Sequence, residues 1–137
     1  MTDITALHAL ADDHNITIDR ITCPKSKSMS LSMNGNCYIG IDKDCIGSEE
    51  PARTAHELGH CETGAFYNRY SKHNVISKLE YKADKWAVQK LIPYDELSEA
   101  FEKGYTEKWQ LAELFGVTEQ LIERAVYIYK AMYSQNT

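Results

Sequence analysis

Two histidines and a glutamate occupy a spacing that suits hydrolytic metal chemistry. His56 and His60 are four residues apart, and Glu57 directly follows the first of them. On a helix, side chains at i and i+4 project from the same face, so both imidazoles can ligate one ion. Glu57 can then reach a water molecule held on that ion and act as a general base. The pattern H-E-x-x-H therefore predicts a zinc-dependent hydrolytic site.

A third protein ligand is needed, because catalytic zinc usually takes three and keeps a fourth position open. The metzincin pattern requires a glycine and a histidine where this chain has Thr63 and Phe66. Glu80 lies 20 positions after the second histidine, the spacing seen in thermolysin-like enzymes. Asp84, one turn later, is expected to accept a hydrogen bond from the non-ligating nitrogen of His56. If Glu80 does not bind the metal, Asp84 is the substitute ligand.

Two helices are predicted to position these residues. Ser48 is a candidate N-cap for the first helix, and Gly64 is a plausible terminator. The second helix is predicted over residues 75–91 and is closed by Pro93. The first helix would carry H-E-x-x-H and the second would carry Glu80 and Asp84.

A helix and three short strands are expected upstream of the motif. Apolar residues recur at helical spacing over residues 2–14, and β-branched residues favour a strand over 15–22. Serine alternates with apolar residues over 28–33, which predicts a half-buried strand. The turn at Asn34-Gly35 then leads into a return strand over 37–41. We predict an α+β fold: an N-terminal helix, a small three-stranded antiparallel sheet and then a helical bundle.

The C-terminal part of the chain is predicted to be helical. Three residues are candidate N-caps there: Asp95, Thr106 and Thr118. Residues 111–118 resemble the turn of a helix-turn-helix, but Glu119 and Glu123 follow it, and acidic side chains repel phosphates. We therefore favour a packed helical hairpin over about 106–133, within a single domain of residues 1–137.

Composition excludes several functional classes. The chain has 137 residues and a formal net charge of −5, which suits one compact domain and argues against direct nucleic-acid binding. No apolar run approaches the ~20 residues that a membrane span needs, and no signal peptide is visible. We expect a cytoplasmic protein with no membrane partner.

Four cysteines are expected to be reduced thiols. They form no C-x-x-C pair, and their spacing matches no common zinc-ligand pattern. Without a secretory signal, reduced cytosolic thiols are the better interpretation. The four residues are Cys23, Cys37, Cys45 and Cys61.

A longer pattern extends the motif downstream. His56-Glu57-Leu58-Gly59-His60 is followed by E-x-x-A-D-x-W-A over residues 80–87 and by Leu91-Ile92-Pro93. In this pattern the chain resembles the ImmA/IrrE metallopeptidases, with Trp86 where phenylalanine is usual. The upstream hairpin and residues 61–67 are similar to the short versions carried by phages and integrative elements.

The resemblance implies a ligand set, a catalytic base and a substrate class. His56, His60 and Glu80 would bind one Zn2+, although this set also suits Fe, Co or Mn. Glu57 would be the catalytic base. The substrate would be a specific intracellular protein, typically a helix-turn-helix repressor. Such sites usually add a donor for the developing oxyanion, and the candidates between the two ligand helices are Tyr67, Tyr70 and His73.

Two other functions remain open from the sequence. The domain could be a metal-stabilised regulatory adaptor that binds a repressor or toxin without cutting it. Glu57 favours the enzyme, because a structural metal site needs no general base. DNA binding through the C-terminal helices is disfavoured by the net acidic charge.

Overall fold

The computed structural model describes residues 3–134, which form six helices and one three-stranded sheet. The predicted α+β class and the order of elements are confirmed; Thr2, the first residue of the predicted N-terminal helix, lies outside the described range. In chain order the elements are α1 (Ile4–Asp13), β1 (Ile16–Ile21), β2 (Ser28–Met33), β3 (Asn36–Asp42), α2 (Glu49–Thr63), α3 (His73–Leu91), α4 (Tyr94–Glu102), α5 (Lys108–Phe115) and α6 (Glu119–Tyr133).

Single residues mark where the two ligand helices end, whereas neither helix begins at a side-chain cap. Ser48 precedes α2 as predicted, but its side chain makes no capping hydrogen bond. Gly64 ends α2 in the left-handed conformation, with φ of 69°, which glycine adopts without a steric penalty. The second ligand helix, α3, starts at His73, two residues earlier than predicted, and ends at Leu91 before Pro93.

The C-terminal helices follow the predicted order with small shifts at their starts. The hydroxyl oxygen of Thr118 accepts a hydrogen bond from the Leu121 N–H, so this predicted cap of α6 is confirmed. Glu107, rather than Thr106, is the N-cap of α5 and forms a reciprocal capping box with Gln110. Asp95 lies in the first turn of α4 instead of capping it.

The sheet is mixed rather than antiparallel, so that part of the prediction was wrong. Its order is β1-β3-β2, with β2 antiparallel and β1 parallel to β3. The Asn34-Gly35 turn joins β2 to β3 as a hairpin, with positive φ at both residues. Residues 22–27 carry the chain to the far edge of β3, so β1 and β3 run in the same direction. The alternation of side chains along each strand is visible in the local sequence, whereas the pairing of the strands depends on this connection.

Strand β2 turns its serine side, not its apolar side, towards the protein. Ser28 is buried and in register with Ile41, whereas Met29, Leu31 and Met33 on the other face are 43%, 45% and 52% exposed. The alternation was predicted. Ser28 and Ser30, rather than the apolar residues, face inwards because β2 lies close to α2 there, and Ser28 donates a hydrogen bond to Glu57 of that helix.

The hydrophobic core is one cluster that draws on every helix and on the sheet. Leu7 of α1 and Ile39 of β3 belong to it together with Leu58 of α2 and Val88 of α3. The hairpin of α5 and α6 joins the same cluster through residues such as Ile122. These contacts fix α2 against α3, and α3 against α6. Over residues 3–134, none of the helices has both the length and the apolar character required to cross a bilayer.

Two of the four cysteines form a disulfide, which corrects the expectation of reduced thiols. Cys37 of β3 and Cys61 of α2 are bonded, with 6.0 Å between their Cα atoms. The two residues are 24 positions apart, and only the packing of β3 on α2 brings them together, so no sequence pattern indicates the pair. Cys23 and Cys45 are free.

Candidate metal centre

The crossing of α2 and α3 brings the predicted ligands together. Gly59, between the two histidines of the motif, packs directly on the α3 backbone. A Cβ atom at this position would lie 2.4 Å from the carbonyl oxygen of Ala83. Only a residue without a side chain permits this approach, and it places Glu80, one turn before Ala83, beside His56 and His60.

Three ligand atoms converge at distances that suit a tetrahedral metal ion. His56 Nε2 and His60 Nε2 are 3.3 Å apart, and Glu80 Oε2 lies 3.2 Å from the first and 2.9 Å from the second. Zinc bonds of about 2.0–2.1 Å in a tetrahedron require ligand atoms about 3.3 Å apart. The donor set and its spacing therefore fit a zinc ion.

Hydrogen bonds on the far side of each imidazole fix its tautomer. His56 Nδ1–H donates to Asp84 Oδ1 at 2.8 Å, which is the contact expected from the sequence. His60 Nδ1–H donates to the carbonyl oxygen of Ala65. Since both Nδ1 atoms face acceptors, the lone pairs of both Nε2 atoms face each other and the carboxylate of Glu80. Three electron-rich atoms this close repel one another unless a cation lies among them.

A proton is the cation that competes with a metal at this cluster. Burial lowers the pKa of His56, but hydrogen bonds to Asp84 and Glu80 outweigh it and raise that pKa to about 10. The pKa of His60 is also raised: burial opposes the shift, and the hydrogen bonds to Glu80 and Ala65 outweigh it. The two histidines hold the pKa of Glu80 well below its usual range. The cluster thus carries a negative carboxylate that attracts positive charge.

Glu57 faces the cleft beside the ligands and is not one of the three convergent residues. Its side chain is buried, with 6% exposure, and its Oε2 accepts a hydrogen bond from Ser28 Oγ at 2.7 Å. Ser28 thereby fixes one oxygen of the carboxylate. Glu57 therefore lines the cleft beside the ligands, and its role as a general base stays a prediction.

Of the three candidate oxyanion donors, the structure brings only Tyr67 to the ligands. Its hydroxyl donates to Glu80 Oε1 at 2.8 Å. Burial, followed by this hydrogen bond, raises the pKa of Tyr67 to about 12, so the hydroxyl keeps its proton at neutral pH. Tyr70 is 80% exposed, and its hydroxyl accepts a hydrogen bond from Arg69. His73 is the exposed first residue of α3.

An open groove passes over the three ligands. On one side is a cleft of about 350 Å³, lined by Ser28, Met29 and Ser30 of β2 with Glu57 and Tyr67. On the other is a cleft of about 360 Å³ that reaches the start of α6. The two clefts share three lining residues, Arg53, His56 and Glu80, so they meet at the ligands.

Three residues of the groove were missed by the sequence analysis. Arg53 lies one turn before Glu57 on α2, so helical spacing alone could have placed it there. Ser28 faces inwards on β2, and only the pairing of the sheet reveals this. Arg124 donates from Nε to Asp84 Oδ2 at 3.0 Å across 40 positions of sequence, a contact without any local signal.

The chain matches a protein-family model, whereas comparisons with curated proteins and with solved structures find no match. The matching model, Peptidase_M78, is described as the IrrE N-terminal-like domain and covers residues 11–127. That range contains α2, α3 and all three convergent ligands. The chain therefore belongs to this peptidase family, and its resemblance to the ImmA/IrrE metallopeptidases is confirmed.

Proposed function

We propose that the chain is a zinc-dependent metallo-endopeptidase that cuts a specific intracellular protein. The observation that carries this proposal is the convergence of two imidazole Nε2 atoms and one carboxylate oxygen within 2.9–3.3 Å of one another. His56, His60 and Glu80 would hold one Zn2+. When bound, the ion supplies a Lewis acid for the peptide carbonyl and a water of lowered pKa.

The protein's own residues move the protons in this mechanism. Glu57 takes a proton from the attacking water and passes it to the leaving amine as the peptide bond breaks. Ser28 holds Glu57 Oε2, so the second oxygen of the carboxylate is the one available for this transfer. Tyr67 stays protonated, and in our proposal its hydroxyl turns from Glu80 to the developing oxyanion.

The shape of the groove supports a protein substrate bound in an extended conformation. The groove continues on both sides of the ligands, so a chain can pass through it without ending there. Strand β2 lies at the edge of the sheet and lines the groove, and an edge strand offers free backbone groups to an extended peptide. From the family resemblance we propose a helix-turn-helix repressor as substrate, with neither a nucleic acid nor a membrane as partner.

We also propose that the protein acts in the cytoplasm. In that compartment the Cys37–Cys61 pair would be exposed to reducing conditions. Mass spectrometry of thiol-alkylated protein from intact cells tests the location, because a fully oxidised pair would indicate an oxidising compartment.

Metal analysis combined with one cleavage assay tests the proposed activity. The wild-type protein should contain one zinc per chain and cut a helix-turn-helix repressor from the same genome, and a chelator should abolish cutting. Glu57→Gln should keep the zinc and lose cleavage, whereas His56→Ala should lose both. Glu62→Gln is the matched control, because Glu62 lies on the same helix but pairs with His14 away from the groove.

The possible outcomes separate the enzyme from the adaptor. Two metal-dependent fragments would support the peptidase, and a stable uncut complex would support the adaptor. Cleavage by Glu57→Gln at the wild-type rate would show that Glu57 is not the base. A wild-type protein that binds no zinc would refute the proposed metal centre.

A further inference from the structure

The C-terminal helix reaches the candidate metal centre through one arginine. Arg124 of α6 donates from Nε to Asp84 Oδ2 at 3.0 Å, and Asp84 Oδ1 accepts from His56 Nδ1 at 2.8 Å. The two oxygens of one carboxylate are thus divided between α6 and a predicted zinc ligand. Three side chains from three different helices form a continuous line of hydrogen bonds that ends at the metal position.

The surroundings of Arg124 hold its side chain in place. Its guanidinium lies over the rings of Tyr81 and Tyr127, with 5.6 Å and 5.2 Å to the ring centroids. These cation–π contacts restrict the guanidinium on two sides. Its helix is anchored by Ile122 and Ala125, both fully buried. The arginine is therefore presented to Asp84 by a fixed helix rather than by a free surface side chain.

We propose that Arg124 is a positioning residue for the metal centre, acting through Asp84 on His56. This inference rests on the proposed zinc site. If the Asp84 carboxylate accepted a hydrogen bond only from His56, it could rotate about its side-chain torsions. The imidazole of His56 would then move with it, because the hydrogen bond joins the two groups. With Oδ2 held by Arg124, Oδ1 keeps the Nδ1–H tautomer of His56, so that Nε2 is directed at His60 and Glu80, where a metal would bind.

The proposal gives the C-terminal hairpin a role in the site. Residues that orient a ligand through a hydrogen bond are typically worth about 10–100-fold in metal affinity. Arg124 is one contact further from the metal, so we expect an effect near the lower end of that range. An ordinary exposed ion pair would change stability only slightly and would leave metal affinity unchanged.

A matched pair of variants separates positioning from charge. Arg124→Gln places Nε2 where the arginine Nε lies along the side chain, so it can still donate to Asp84 without a charge. Arg124→Met has a similar length and no donor. Lys108→Met is the control. Lys108 of α5 pairs with Glu123 of α6, the helix that carries Arg124, but it does not reach the ligands.

The experiment measures the zinc dissociation constant by competition with a chromophoric chelator. The visible spectrum of the Co2+-loaded protein reports ligand geometry independently of activity. Arg124→Met should raise the dissociation constant about tenfold and change the cobalt spectrum. Arg124→Gln should remain within about threefold of wild type, and Lys108→Met should match wild type. Unfolding of the metal-free proteins checks that both Arg124 variants, which lose the same charge, are similarly stable.

Each outcome decides the inference. Equal zinc affinities for Arg124→Met and Arg124→Gln would overturn it, whether both matched the wild type or both were weakened. Near-normal zinc affinity for Arg124→Gln together with weakened affinity for Arg124→Met would support the inference. Both variants lose the same charge and are expected to be similarly stable, so only the hydrogen-bond donor distinguishes them. If the wild-type protein bound no zinc, this inference and the proposed function would both fail. Normal zinc binding by all the variants would overturn this inference alone.

Discussion

Substitution of Gly59 by alanine tests whether helix packing sets the geometry of the metal centre. The new Cβ would lie 2.4 Å from the Ala83 carbonyl oxygen and 3.0 Å from the Ala83 Cα and carbonyl carbon. Carbon and oxygen approach to about 3.3 Å in the closest common backbone contacts, so α2 and α3 must separate by about 0.9 Å. All three contacts are with backbone, which cannot rotate away.

This displacement is large on the scale of metal coordination. Zinc–ligand distances hold within about 0.2 Å, so a shift of this size takes Glu80 out of reach of an ion bound by the two histidines. Zinc-finger binding energies of about 10–16 kcal/mol over four ligands give about 3 kcal/mol per ligand. Loss of one ligand should therefore weaken zinc binding about 100-fold.

The effect of Gly59→Ala on fold stability should be smaller. Overpacking lowers the unfolding free energy by about 1–3 kcal/mol, whereas replacing a glycine within a helix by alanine raises it by about 1 kcal/mol. The metal-free protein should thus lose at most about 2 kcal/mol of unfolding free energy.

The assay compares two glycine-to-alanine variants by zinc competition and urea unfolding. Gly40→Ala is the control, because its Cβ would lie 2.3 Å from Ile21 Cδ1, the end of a side chain that can rotate. It should keep wild-type zinc affinity. A Gly59→Ala protein that is folded and binds zinc within threefold of wild type would refute the reasoning that this contact places Glu80.

Three further predictions concern protons and the disulfide. Because the pKa of metal-free His56 is raised to about 10 and that of His60 is also raised, zinc must displace protons. Titration calorimetry should show the dissociation constant falling at least about tenfold per pH unit between pH 6 and 8, and a flat profile would contradict this. Since the folded state binds the His56 proton more tightly than the unfolded state does, protonated His56 also stabilises the metal-free fold. This contribution is fully present below about pH 6.5 and is lost as the pH rises towards 10. Reduction of Cys37–Cys61, separated by 24 residues, should remove up to about 3.5 kcal/mol of unfolding free energy. Urea unfolding with and without dithiothreitol measures this, Cys23→Ser should behave as wild type, and identical midpoints would argue against the bond.

The motif and its helices could be predicted because their signals are local. His56 and His60 lie one helical turn apart, and the end of α2 at Gly64 follows from a single residue type. Glu80 and Asp84 were placed by spacing along the chain, and the structure brings both to the histidines. Residues separated by one turn, or by a fixed interval on two adjacent helices, leave a pattern in the sequence.

The contacts that could not be predicted all join distant segments. Ser28 meets Glu57 across 29 positions, and Arg124 meets Asp84 across 40. The parallel pairing of β1 with β3 has the same origin, since strand propensity gives no information about the neighbour of a strand. In each case the partner is chosen by the packing of the whole core rather than by the residues on either side.

The outward side chains of β2 have a practical consequence for purified protein. Three apolar residues stand in a row on an edge strand, and the exposed Tyr38 of β3 lies in register beside the middle one. Such an edge is a template for association between copies at high concentration. Polar replacement of Leu31 and Met33 should therefore improve colloidal behaviour during concentration, while the serines that alternate with them are the positions to leave untouched.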